Sequence, residues 1–312
     1  MKKLGNPVSD AEELLEQTLL RLPQYAPEGL RYSAIGGGIT NANYRVVSGA
    51  PETVLFVKIP GKGTDAFIDR NVANEAAVLA SNVSLGPRVL HFFADTGVEL
   101  SEFVEGYRPC NNFDFQTKSV REMAIDCYRL FHGGKLLSQT KTVFEMIDEH
   151  VEQAVALDGF FPDDWVWLDR QYRLARTALE ASGLDITPCF NDPMPGNFML
   201  NTSRDRMLLI DYEYASNNDR CYELGIWFGE MFFEESVERE LIERYFGEVR
   251  GEYVARCQVY KALADIKWGC WSIVQARQSQ LAFDYSKYGA WKFLRARSVM
   301  HDWRWQSWLR EV

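Results

Sequence analysis

The chain has 312 residues, 46% of them apolar and 25% charged, a length and balance that suit two lobes built around a sizeable core. A formal net charge of -10 argues against nucleic acid as a partner, because such binders usually carry a basic patch. Six cysteines (Cys110, Cys127, Cys189, Cys221, Cys257 and Cys270) make no C-x-x-C pair and stand beside only four histidines, which argues against zinc and suits a reducing, cytoplasmic setting.

The start, Met1-Lys2-Lys3, is basic like the opening of a secretory signal. Asp10, Glu12, Glu13 and Glu16 occupy the place of its apolar segment, so no export is expected. Instead Ser9-Asp10-Ala11-Glu12 reads as a capping box opening a helix to about Leu22. Extended runs follow near 31–35, 42–48 and 53–59, rich in Val, Tyr and Phe and separated by Gly, Asn and Pro. The apolar spacing from Asp65 to Ser81 is helical. Runs 88–94 and 97–104 are strands joined at Asp95-Thr96-Gly97, a hairpin signal.

From about residue 114 helical periodicity dominates: 115–131, 139–156, 163–182, 219–234, 236–248, 251–275 and 285–309. The most apolar stretch, Leu224 to Phe233, is short and carries Glu230, so no membrane span is expected. One break, 187–211, holds Pro188, Pro193, Pro195 and Gly196, which forbid a helix. One organisation among several that fit this pattern is α+β: a small antiparallel-sheet lobe, 1–105, then a larger, mostly helical lobe, 106–312.

The break carries the chemistry. Cys189-Phe190-Asn191-Asp192-Pro193-Met194-Pro195-Gly196-Asn197 is followed, nineteen residues after Asp192, by Ile210-Asp211-Tyr212-Glu213-Tyr214. Alone, Asn-Asp-Pro-x-Pro-Gly-Asn reads as a turn, since these are the usual turn residues. Phosphoryl transfer needs a carboxylate to orient the attacking hydroxyl and oxygen ligands for Mg2+. Asp192, Asn197 and the downstream Asp211 together supply those groups.

The loop resembles the catalytic loop of the choline/ethanolamine kinase family and its aminoglycoside-phosphotransferase relatives, and Ile210 to Asn218 resembles that family's metal-binding strand and turn. The resemblance implies a bilobal, protein-kinase-like fold using ATP and Mg2+. Asp192 is then the base, Asn197 and Asp211 are catalytic metal ligands, and Glu213 is a further metal candidate. Phe190 stands where the family has His, a departure expected to affect loop geometry or rate rather than abolish the chemistry.

Upstream, Gly36-Gly37-Gly38-Ile39-Thr40-Asn41-Ala42-Asn43-Tyr44 could be an ordinary hairpin turn, but it resembles the family's glycine-rich phosphate loop. Gly37, Gly38, Thr40, Asn41 and Asn43 are thereby implied to bind nucleotide. Lys58 ends a strand pattern and Glu75 lies 17 residues on in a helix, a kinase-like pair. Glu102 and Val104 fall at the family's hinge, near 102–106, where backbone groups hold adenine.

Trp268-Gly269-Cys270-Trp271-Ser272-Ile273-Val274-Gln275-Ala276, then Phe283-Asp284-Tyr285 and Tyr288, resembles the choline-kinase C-terminus. Trp268 and Trp271, three apart, share a helix face. Such a stripe is more often core, but Trp268, Trp271 and Tyr288 coincide with the family's cage for a quaternary ammonium. Glu230 matches a carboxylate near the bound amine, and Glu234-Glu235 stands where an aromatic is common. The implied reaction is phosphorylation of choline, with ethanolamine, thiamine or an aminoglycoside as alternatives and a silent binding protein as the other class. The partner is a small molecule, and a homodimer stays open.

Overall fold

Ser9 opens the first helix: its hydroxyl accepts from the Glu12 amide at 3.2 Å. The reciprocal half of the box is rearranged, because the Glu12 carboxylate accepts from the Val8 amide at 2.8 Å and from Lys2 at 2.5 Å. The chain is described by a computed structural model covering residues 1–25, 29–36, 41–49, 53–61, 63–64, 68–279 and 281–312. In chain order its elements are β1 (Lys2–Lys3), α1 (Asp10–Leu20), β2 (Arg31–Ile35), β3 (Ala42–Val47), β4 (Val54–Ile59), α2 (Arg70–Asn82), β5 (Val89–Phe93), β6 (Val98–Glu102), β7 (Tyr107–Pro109), α3 (Lys118–His132), α4 (Val143–Ala156), α5 (Trp165–Ser182), β8 (Ile186–Cys189), β9 (Phe198–Asn201), β10 (Met207–Leu209), β11 (Ser216–Asp219), α6 (Arg220–Met231), α7 (Glu235–Phe246), α8 (Gly251–Gln278), α9 (Tyr285–Met300) and α10 (Trp305–Glu311).

Two compact units result: Met1–Pro109 with Phe198–Tyr214, and Cys110–Asn197 with Ala215–Val312. The sequence reading left 198–214 in the helical lobe. The structure ties it to the first unit because β9 pairs antiparallel with both β7 and β10, and the Leu209 amide bonds the Leu85 carbonyl at 2.7 Å.

The first unit is built on an antiparallel sheet of order β1-β2-β3-β4-β6-β5. Alternation along β4 turns Leu55, Val57 and Ile59 into a core shared with Leu15, Leu19, Tyr32, Val46 and Leu100. It leaves Lys58 on the opposite face. Register places Asn43 of β3 and Glu99 of β6 directly across from Lys58, so the three side chains line one row of that face. The β5–β6 hairpin turns through Gly97, whose φ of +69° is a left-handed value that glycine adopts without strain.

The second unit is helical around α8, which packs against α4, α5, α6, α9 and α10. Gly269 allows a close approach of α9, since a Cβ there would lie 2.7 Å from the Phe293 ring. The run expected as one helix over 285–309 is two, α9 and α10. Between them Asp302 Oδ1 accepts from the Arg304 amide at 2.8 Å, a local turn that competes with continued helix.

Candidate active site

The first unit gathers charge on the Lys58 row. Lys58 Nζ bonds Asp211 Oδ1 at 2.9 Å. Burial opposes its charge, but Asp211, Glu213 and Glu99 overcome this and raise its pKa. Burial raises that of Glu99, against the pull of Lys58 and a 3.0 Å bond from Asn74. Asp211 lies just beyond β10 with φ +69°, a left-handed conformation that is costly for a residue with a side chain and that clusters at functional sites. Two residues on, Glu213 Oε1 accepts from Asn41 Nδ2 at 2.8 Å and from Arg70.

Of the expected nucleotide contacts, Gly37, Gly38 and Thr40 lie outside the described residues. Asn41 and Asn43 each hold a buried Oδ1 with no hydrogen-bond donor among the described residues. Glu75 is half-buried on α2. Glu102 closes β6, paired with Arg88 at 2.6 Å, and Val104 follows it.

The second unit holds the loop of Asp192. Asn197 Nδ2 donates to Asp192 Oδ2 at 3.0 Å and to its carbonyl at 3.2 Å, fixing carboxylate and amide together. Asn191 precedes them with φ +63°. This turn is held by the Glu223 carboxylate of α6, which accepts the Phe190 amide at 2.8 Å and the Asn191 amide. Glu223 in turn meets His132 Nε2 of α3 at 2.7 Å, and His132 Nδ1 meets the Tyr245 hydroxyl at 2.6 Å. Asn191 Nδ2 donates to Ser216 Oγ at 2.9 Å. The Phe190 side chain is fully buried, so this residue serves the loop through its amide and the core through its ring.

The aromatic residues also come together. Trp268 and Trp271 meet edge to face at 5.4 Å, and Trp271 and Tyr288 at 5.9 Å. Their surroundings are charged: Lys267 Nζ sits 3.0 Å from the Trp268 ring centroid, and Lys292 Nζ 5.0 Å from that of Tyr288. Glu230 pairs with Lys292 and, at 2.7 Å, with Arg295. Burial works to raise its pKa, but the two cations hold it below the ordinary carboxylate value. Glu235 pairs with Arg304 Nη1 at 2.8 Å.

The sequence profile of the choline/ethanolamine kinase family matches residues 32–296. The chain belongs to the choline/ethanolamine kinase family. It is 24% identical over 303 residues to "Probable choline kinase 1" of Arabidopsis thaliana, covering 85% of this chain and 86% of that one. A solved choline/ethanolamine kinase family protein from Mesorhizobium loti superposes with a TM-score of 0.82 at 28% identity, over 96% of this chain and 98% of that one. Choline kinase LicA of Streptococcus pneumoniae gives a TM-score of 0.77 at 23% identity, over 95% and 100%. The fold is that of protein-kinase-like phosphotransferases. As a choline/ethanolamine kinase family member the chain is a phosphotransferase with an alcohol group as acceptor, and the kinase family implies ATP as donor. Among the described residues no helix is long and apolar enough to cross a membrane.

Sequence reasoning passed over the residues that support these groups. His132 and Glu223 lie on helices far from the loop in sequence and carried no motif. Lys267 did leave a signal: it interrupts the stripe Tyr260, Leu263, Ala264, Trp268, Trp271 at helical spacing, a charge where an apolar residue belongs.

Proposed function

We propose that the chain transfers the γ-phosphoryl group of Mg-ATP to the hydroxyl of a small alcohol, with Asp192 orienting the hydroxyl and accepting its proton. Lys58 meets phosphate charge, and Asp211 and Asn197 supply oxygen ligands to the metal. The donor set fits a hard cation: carboxylate and amide oxygens, with the Asp211 side chain 37% exposed. Bound there, Mg2+ would neutralise charge on the phosphates. Glu213 fits less well, since its Oε1 already serves Arg70 and Asn41.

The observation that carries this reading is the Asp192 loop. A carboxylate and an amide five residues apart are bonded to each other on a turn pinned by a buried Glu. Such preorganisation suits a reaction in which positioning and electrostatics supply most of the rate. Choline is the acceptor that the aromatic residues suggest, and ethanolamine is its smaller counterpart.

The test is acceptor-dependent ADP release over choline, ethanolamine, thiamine, an aminoglycoside and uncharged alcohols, with the product followed by 31P NMR. A phosphomonoester formed from one of these supports the proposal. ATP turnover that ignores every added alcohol contradicts it.

A further inference from the structure

Resting on the phosphotransferase reading, we propose that Glu99 is a positioning residue, whose carboxylate takes over the Lys58 ammonium and keeps it toward the nucleotide phosphates while Asp211 serves the metal. Among the described residues the one hydrogen bond of Lys58 goes to Asp211 Oδ1, at 2.9 Å. That carboxylate is also the one a metal would need, and it is the more open of the pair: 37% of the Asp211 side chain is exposed, against 17% for Lys58. Once the Asp211 oxygens serve a metal, their hold on Lys58 weakens, and a largely enclosed ammonium left without a carboxylate is costly.

A second carboxylate stands in reach. Alternation along β6 sends Val98 and Leu100 into the core and Glu99 to the other face. Register puts Glu99 directly opposite Lys58 of β4. Facing residues of an antiparallel pair have Cβ atoms about 4.5–5.5 Å apart, a gap that two long side chains span.

The Glu99 carboxylate is half used. Asn74 Nδ2 of α2 donates to Oε2 at 3.0 Å, while Oε1 accepts no hydrogen bond among the described residues and is left for Lys58. Charge already couples the two residues. Burial pushes the Glu99 pKa up, and Lys58 is the strongest pull against it. Glu213 is less suited to the task, because its Oε1 is taken by Asn41 and Arg70. Through Asn74 and Glu99, helix α2 thus acts on the lysine.

The experiment is a double-mutant cycle on affinity for a non-hydrolysable ATP analogue, measured by calorimetry with and without Mg2+ in wild-type protein, Glu99→Gln, Lys58→Met and the double variant. With Mg2+, Glu99→Gln is expected to bind the analogue about fivefold more weakly or worse. Without Mg2+, where Asp211 keeps Lys58, it should match wild type within about twofold. In the Lys58→Met background the same substitution is expected to change nothing. A loss that persists in Lys58→Met would be a structural effect of Glu99 and overturns the proposal. So does unchanged affinity with Mg2+, or an equal loss with and without it. Should Glu99→Gln fail to fold, Asn74→Ala, which releases the carboxylate, is expected to show a several-fold loss with the same dependence on Mg2+ and Lys58, and no loss overturns the proposal equally. Wild-type protein that binds no analogue contradicts both this proposal and the phosphotransferase reading. Because the readout is binding, absence of transfer to every alcohol bears on the phosphotransferase reading alone.

Discussion

At the scale of single residues, the two groups assigned to the chemistry sit at or beside strained backbone. Asp211 has φ +69°, and Asn191, next to Asp192, has φ +63°. Each such conformation costs on the order of 1–3 kcal/mol and persists only where the surroundings hold it. For Asn191 the holders are visible: Glu223 takes two successive amides, and Ser216 takes the side chain. Glu223→Gln keeps the shape but leaves one acceptor oxygen where there were two. The expected result is a kcat at least tenfold lower with the KM for ATP within about twofold, because only the Asp192 turn loosens. Unchanged kcat would mean that the loop stands without this clamp. The same contacts explain why His was legible as missing from the loop while its consequence was not. The loop is secured through backbone amides, which any residue but proline at 190 offers, and by His132, which no local pattern connects to it.

Among the elements, most boundaries were readable because the chain punctuates itself. Alternation in β4, glycine in the β5–β6 turn and the prolines of 187–211 each act within a few residues. The failure at 301–304 is also local in cause, but it depends on one side chain, Asp302, choosing the Arg304 amide over solvent, which periodicity does not report. Longer-range elements were less legible. Asp219 caps α6 by accepting the Cys221 amide at 2.8 Å, takes the Asp185 amide at 3.0 Å, and pairs with Arg256 of α8 at 2.5 Å. Arg256 also holds the end of α5 through Ser182 Oγ at 2.7 Å and the Gly183 carbonyl at 2.9 Å. Both partners are buried, so removing one strands the other's charge. Arg256→Ala should therefore lower unfolding free energy by roughly 3–5 kcal/mol, read as a lower urea midpoint. A loss under about 1 kcal/mol would show the pair to be dispensable.

For the whole molecule, the division of labour follows the division into units. The first carries the Lys58–Asp211 pair on its sheet face, and the second carries Asp192 and the aromatic residues. The second unit also sets an acid limit on folding. His150 of α4 is buried, and burial, with Lys267 nearby, depresses its pKa to about 3 from the ordinary 6.5. A base held neutral in this way contributes its full stability above the unfolded pKa. That stability is lost as pH falls from 6.5 toward 3, because the unfolded chain takes up the proton first. By pH 5 the loss is about 2 kcal/mol. Urea melts at pH 7.5 and pH 5 should show this extra loss in wild-type protein and not in His150→Gln; equal losses would place the acid sensitivity elsewhere. The central claim is that Asp192 is the base of an alcohol phosphotransferase. It is tested most directly by acceptor-dependent ADP release in wild-type protein and Asp192→Asn, with ATP affinity measured in both. The account predicts that Asp192→Asn loses nearly all transfer while binding ATP as wild type does; near-wild-type transfer by Asp192→Asn would contradict it.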